Sequence, residues 1–368
     1  MRLIHLDSGA VGEKLVYELR DAGGRVLLGA GAVLTERHIE ALRRRGFLSI
    51  PVNDPFASDI LPPEPVRYQV RERASAVVTE RFAQATRGGL PVTPMVRQVV
   101  EEILDDLLRN PSLACNLLTI QSAESFLFVH SVNVCIYALV ISTALGLDRV
   151  DRKHLGVGAM LHDIGMVFFA ELLAKPGPLT EQEAAAMRDH TTEGFELVRR
   201  QAEVDLRSAH VALQHHERLD GSGYPRGLQG RAIHPWAQVV AIAEVFDTVV
   251  SGRPYLPARP AHLAVQELRR MAETHGADPF LVQYFCERIA EYPNGTVLEL
   301  GSGEIAVVVQ QRTGDQAHPR IRVLADAGLR LVPQGERDLD ARAPATTPAQ
   351  VLGDYPEEML AQLGGDPG

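Results

Sequence analysis

Seven polar side chains occupy places where a helical chain normally keeps hydrocarbon. His130 lies in an apolar helical run, His162-Asp163 sits in Ala-Met-Leu-His-Asp-Ile-Gly, and Glu244 falls inside the apolar stretch 239–250. His190 follows in Arg-Asp-His-Thr-Thr-Glu-Gly, and His215-His216 closes another helical pattern just before Glu217. Burying imidazoles and carboxylates on separate helices is costly unless they satisfy one another or share a partner. A shared metal site removes that cost, so the fold must bring the segments together. Mixed imidazole and carboxylate ligands suit Fe(II), Mn(II) or Zn(II), and an adjacent His-Asp lets one carboxylate bridge two ions. Two ions roughly 3.5–4 Å apart can clamp the oxygens of a phosphodiester during in-line displacement.

The remaining histidines carry no such pattern. His5, His38, His154, His262, His275 and His318 have no patterned partner. His210 reads as core packing, and His234, before a proline at a helix start, reads as a cap or loop residue.

At 368 residues the chain can hold two or three units. Residues 1–54 read as a small β-rich unit with one short helix capped by Thr35. Pro55, Pro62, Pro63 and Pro65 mark 55–65 as a linker. From 66 to 290 the pattern is almost wholly helical: Thr93-Pro94 reads as a helix start, and Thr180 with Glu183 forms a capping box. Strand patterns return at 297–300, 305–310 and 321–324, giving a β-rich unit over 291–341. The Ala-, Pro- and Gly-rich stretch 342–368 reads as a flexible tail with at most one short helix near 351–363. The fold class is mainly α, a helical domain flanked by small β-rich units.

A net charge of −10 argues against binding a nucleic acid polymer or an anionic membrane, both of which need a basic face. The most apolar stretch, 132–147, is short for a membrane span. Three scattered cysteines without a CxxC pair and no secretory signal give a cytoplasmic expectation.

His162-Asp163-Ile164-Gly165 resembles the signature of the HD superfamily of metal-dependent phosphohydrolases. His215-His216-Glu217-Arg218-Leu219-Asp220-Gly221-Ser222-Gly223-Tyr224-Pro225 resembles the segment that names its HD-GYP branch. Asp247 and Arg253-Pro254-Tyr255 are similar to the branch's downstream segment, and the likeness runs from about 96 to 290. The resemblance implies an HD domain that hydrolyses the cyclic dinucleotide cyclic di-GMP to linear pGpG and onward to GMP. It implies His130, His162, Asp163, His190, His215, His216 and Glu244 as metal ligands, with Asp163 bridging and with Asp163 and His162 catalytic. Gly221, Ser222, Gly223, Tyr224 and Pro225 would form a rigid loop that shapes the substrate site and offers a docking surface to a signalling-protein partner. Arg253 would hold a phosphate, with Asp247 and the residue at 166 also on the substrate side. A homodimer is a further expectation.

Four positions depart from the branch's pattern. Met166 replaces a lysine aimed at the substrate phosphate, Glu244 replaces an aspartate, and Leu256 replaces a basic residue. Phe126 stands where three-metal members carry a glutamate, so two divalent ions are expected, Fe(II) or Mn(II) first. The losses thin the phosphate grip, since a pocket cation stabilises a dianionic ligand and its transition state. Two alternatives stay open: a catalytically weak or inactive cyclic di-GMP receptor signalling through the flanking units, and an HD phosphohydrolase for another cyclic dinucleotide or nucleotide.

Overall fold

A computed structural model describes residues 2–6, 11–20, 25–45, 47, 49–60, 64–89, 94–110, 117, 126–173, 175, 177–201, 204–252, 258–312, 314–339, 345–352 and 354–362. The N-terminal unit pairs β1 (Arg2–His5) with β4 (Ser49–Val52) and β2 (Leu19–Arg20) with β3 (Val26–Leu28), all antiparallel. Helix α1 (Glu36–Arg44) closes it, with the Thr35 hydroxyl accepting from the His38 N–H. Ile4, Leu15, Leu19, Leu34, Ile39 and Ile50 form its own small core. Tyr17 stacks on Tyr68 at the head of the next helix, which fixes the unit to the domain that follows.

The middle of the chain is helical. It comprises α2 (Tyr68–Ala85), α3 (Pro94–Arg109), α4 (Phe126–Ser142), α5 (Arg149–Met160), α6 (Ala170–Leu173) and α7 (Glu181–Met187). Then come α8 (His190–Arg199), α9 (Leu206–Gln214), α10 (Pro235–Ser251), α11 (Ala261–Glu273) and α12 (Pro279–Cys286). Sequence punctuation starts most of them. Asp148, Asp205 and Asp278 cap α5, α9 and α12, Thr180 and Glu183 form the capping box of α7, and His234 caps α10 ahead of Pro235. Thr93 lies outside the described residues.

Helix α4 is apolar on every face because α2, α5 and α10 enclose it. Two stretches, Phe126–Leu145 and Arg149–Leu173, are long and apolar enough to cross a membrane, and both are mostly buried in the domain core. Among the described residues, α4 and α10 bury His130, Asn133, Glu244 and Asp247 in that core, and such groups need partners.

The C-terminal unit is an antiparallel sheet of order β8-β7-β6-β5-β9, made of β5 (Val297–Leu300), β6 (Ile305–Gln310), β7 (Arg320–Ala325), β8 (Leu331–Asp338) and β9 (Pro348–Leu352). The structure differs here from the flexible tail expected over 342–368. Strand β9 pairs with β5, and α13 (Glu357–Ala361) lays Met359 into the core beside Tyr355. β9 (Pro-Ala-Gln-Val-Leu) is intermediate to exposed along its length and lacks an in–out alternation, so its strand character comes from pairing with β5.

The expected linker differs as well. Phe56, Ala57 and Ile60 are buried against Val297, Val307, Leu324, Tyr355 and Met359 of the C-terminal unit. Asp54, buried, accepts hydrogen bonds from the Phe56 and Ala57 N–H groups and from the Tyr355 hydroxyl. Arg322 grips Asp59 with both Nη atoms, at 2.9 and 2.8 Å. Residues 57–60 close a turn, with the Ile60 N–H donating to the Ala57 carbonyl, so this proline-bordered strap is packed and not merely a spacer.

Candidate metal centre

The structure brings the seven residues into two groups that share Asp163. His130, His162, Asp163 and Glu244 offer ligand atoms all within 4.8 Å of one another, as do Asp163, His190, His215 and His216. α4 delivers His130, the turn after α5 delivers His162 and Asp163, α8 begins at His190, α9 ends at His215, and α10 carries Glu244.

Backbone approach sets the spacing. A Cβ on Gly165 would lie 2.0 Å from the His190 carbonyl oxygen and 2.7 Å from the Gly194 nitrogen. Any side chain there would push α8 away, and with it His190. The glycine of His-Asp-Ile-Gly is thus a packing requirement of the site.

The imidazoles are oriented from behind. Nδ1 of His162, His190 and His215 donates to the carbonyls of Ala159, Met187 and Ala212 at 2.7, 2.7 and 2.9 Å. Nδ1 of His130 donates to Asp247 at 2.6 Å. With Nδ1 donating backward, each ring turns Nε2 inward, the edge that a metal-bound histidine presents once neutral. The consequence is visible between His190 and His215, whose Nε2 atoms face each other at 3.3 Å. Two lone pairs at that distance repel unless a cation lies between or beside them.

Nε2 of His130 and His162 and Oδ1 of Asp163 are buried without completing a hydrogen bond, although Nε2 of His130 comes within 2.7 Å of Glu244. Asp163 Oδ2 lies 3.5 Å from His162 Nε2 and 3.8 Å from His130 Nε2. Its Oδ1 lies 3.3 and 3.5 Å from the Nε2 atoms of His190 and His215. One carboxylate therefore faces each group with a different oxygen. This donor set, converging and buried, fits divalent cations.

The electrostatics of the groups differ. Burial opposes protonation of His130 and His162, but Glu244 beside the first and Asp163 beside the second outweigh it, raising them to about 9 and about 10. Burial pushes His215 down to about 4 and His216 well below the usual histidine range. Burial also opposes ionisation of Asp163, and the surrounding imidazoles overcome it and hold the carboxyl well below its ordinary value.

Several expectations land elsewhere. Asp247, expected on the substrate side, is fully buried behind His130, where it also accepts from Asn133 Nδ2 and Ser251 Oγ, each at 2.9 Å. Its place one helical turn after Glu244 on α10 points both carboxylates at α4, so it orients a ligand and cannot meet a substrate. Asn133, one turn after His130, was missed for the same reason: i, i+3 partners on a ligand helix are the signal. Met166 is 4% exposed, so its side chain is sealed in the turn that follows Asp163. Phe126 stacks on His130 at 5.6 Å between centroids, filling the space a further carboxylate would need. Arg253 and Leu256 lie outside the described residues.

The 221–225 loop covers the second group. A Cβ on Gly223 would lie 2.4 Å from the His216 carbonyl oxygen, so the backbone can fold onto the ligand segment only as glycine. Tyr224 then stacks on the His216 ring at 4.5 Å. Glu217 accepts from the Arg226 and Leu228 N–H groups at 2.9 Å and Asp220 binds Ser222, which fixes the loop beyond Gly221 and Pro225.

Comparison with known proteins agrees with this geometry. Residues 114–281 match the HD domain family. A cyclic di-GMP phosphodiesterase of Pseudomonas aeruginosa is 34% identical over 272 residues, which is 73% of this chain and 64% of the relative. A cyclic di-GMP phosphodiesterase of Thermotoga maritima is 41% identical over 36% of each chain. A 3'3'-cGAMP-specific phosphodiesterase of Vibrio cholerae is 38% identical over 47% of this chain and 39% of its own. The chain thus spans just under two thirds of the first relative and little more than a third of the other two.

Proposed function

The helical domain of this chain belongs to the HD family, and from that premise we propose that the protein is a metal-dependent cyclic di-GMP phosphodiesterase of the HD-GYP type. It opens a 3′–5′ phosphodiester to give linear pGpG, with further cleavage to GMP. The observation that carries the proposal is the pair of buried ligand groups joined through Asp163.

In this reading His130, His162, Asp163 and Glu244 hold one divalent ion, and Asp163, His190, His215 and His216 hold a second, Fe(II) or Mn(II). Such a pair supplies Lewis acidity toward a phosphodiester and water activation at neutral pH. Asp163, common to both groups, and His162 beside it are the catalytic residues of this reading. Asp247 and the carbonyls of Ala159, Met187 and Ala212 keep the imidazoles in the binding tautomer. Tyr224 and its loop exclude water from the His216 side and shape the site for a planar base. A cytoplasmic location, a homodimer and a signalling partner docking on the 221–225 loop belong to the same proposal.

A second reading, a receptor with weak turnover, draws on Met166, which leaves no cation at the turn after Asp163. A third, cleavage of 3'3'-cGAMP, draws on the Vibrio cholerae relative. One experiment separates them. Anaerobically purified protein is analysed for metal, stripped, reloaded with Mn(II) or Fe(II), and given cyclic di-GMP and 3'3'-cGAMP. The proposal expects pGpG from the loaded protein and none from the stripped one. Tight binding of cyclic di-GMP without product would leave the receptor, and faster cleavage of 3'3'-cGAMP would reassign the substrate.

A further inference from the structure

A cyclic dinucleotide carries two phosphodiesters on opposite sides of its macrocycle, and a single metal pair can meet only one of them. The other needs its own cation, and Met166 does not provide it. Deepening the phosphodiesterase reading on which this rests, we propose that Arg188 is the anchor for the second, non-scissile phosphate.

Arg188 caps the C-terminus of α7, two residues before His190, so its backbone is tied to the second ligand group. Its N–H donates to the Ala185 carbonyl, and its own carbonyl accepts from the Thr191 hydroxyl at 2.9 Å. The guanidinium lies over the Tyr224 ring, with Cζ 5.2 Å from the centroid. His216 stacks on the same ring nearly parallel, at 22° and 4.5 Å between centroids. The result is a row of His216, Tyr224 and Arg188 leading outward from the ligand group, with the arginine exposed at its end.

The ring contact occupies one face of the guanidinium and leaves its in-plane N–H groups available. These form the fork that suits two phosphate oxygens. Among the described residues no carboxylate pairs with Arg188. Arg218 Nη1 donates to the carbonyls of His215 and Glu217, and Lys175 pairs with Glu183, so these two cations are committed elsewhere. Tyr224 stands between Arg188 and His216, so the arginine is assigned to the phosphate farther from the two ligand groups.

The test compares two substrates on metal-loaded protein: cyclic di-GMP, with two phosphodiesters, and bis(p-nitrophenyl) phosphate, with one. Arg188→Ala is expected to raise KM for cyclic di-GMP by roughly tenfold or more, the effect of losing one charge-assisted contact, and to leave bis(p-nitrophenyl) phosphate kinetics and metal content unchanged. Arg188→Lys, which keeps the charge and loses the fork, is expected to fall between. Equal losses on both substrates, or lost metal, would make Arg188 a clamp on Tyr224 and overturn the proposal, as would an unchanged KM. If Arg188→Ala does not fold by circular dichroism, Arg188→Lys and Arg188→Gln carry the same comparison. Should the wild type hydrolyse neither substrate, the phosphodiesterase reading fails separately, and Kd for cyclic di-GMP in wild type and variants still decides the role of Arg188.

Discussion

The two ligand groups share a carboxylate yet are built on opposite principles. In the one around His130 and His162, Asp247 stands behind His130 and a carbonyl behind His162, while Glu244 and Asp163 lie beside the rings, so negative charge accumulates around its imidazoles. The one around His190, His215 and His216 is rich in imidazole, backed by neutral carbonyls, and covered by a loop rather than by helices. The first attracts positive charge of any kind, including protons. In the second, burial makes His215 and His216 resist protonation. One centre thus contains a proton-competed half and a half in which two imidazoles stay neutral.

Asp163→Ala tests whether the halves are one centre. Both should lose metal together and hydrolysis should fall to background, a larger loss than the roughly 10–100-fold typical of residues behind a ligand. Metal analysis with product detection checks this, and an intact second ion would show two independent sites.

The pH dependence of loading should separate the halves next. Folded values of about 9 and about 10 for His130 and His162 lie above the ordinary 6.5, so their contribution to metal-free stability is complete below pH 6.5 and fades as pH rises through 9. For His215, lowered to about 4, the sign reverses: its contribution holds above pH 6.5 and is lost as pH falls through 4. Metal must expel the protons of the first half, so affinity there should climb about tenfold per pH unit for each proton displaced. The second half should stay flat above pH 6.5. Titration calorimetry in buffers of different ionisation enthalpy counts those protons, and equal slopes would erase the distinction.

Asp247→Asn keeps the shape behind His130 and removes the charge. It should weaken the first half alone, by roughly 10–100-fold in metal affinity. Loss confined to substrate KM would return Asp247 to the substrate side. Met166→Lys probes the seam, where burial predicts an uncompensated charge and a stability loss of about 1–3 kcal/mol with no gain in kcat/KM. A tenfold gain would show that the side chain reaches the phosphate. The smallest effect belongs to Tyr224→Ala, which removes a stacked ring from His216 and should cost about 0.5–1.5 kcal/mol of metal binding in the second half only.

The two halves were also unequally legible in the sequence. All seven residues of the two groups stood out because polar residues in apolar helical runs demand partners, and the helical domain and three strands of the C-terminal sheet followed from periodicity and turns. Asp247 was legible as special and misread in role, since a motif fixes position along a helix but not the face it turns to. The strap at 54–60 and strand β9 were read as linker and tail. The strap depends on a partner 301 residues away and β9 on its pairing with β5, neither of which a local pattern can announce. Arg188 gave no signal, because its meaning comes from a ring contact across two loops.

The bond from the Tyr355 hydroxyl to Asp54 joins positions 301 residues apart. During synthesis Asp54, Phe56 and Ile60 leave the ribosome early, and their cover arrives only with β9 and α13. Until then the strap shows apolar side chains, and β5, lacking its neighbour, is a bare sheet edge of the sort that invites wrong pairing. A chain broken off before Tyr355 would carry every ligand residue and still display those marks. Cellular quality control, which acts on exposed apolar surface, could then discard truncated copies before they reached their substrate.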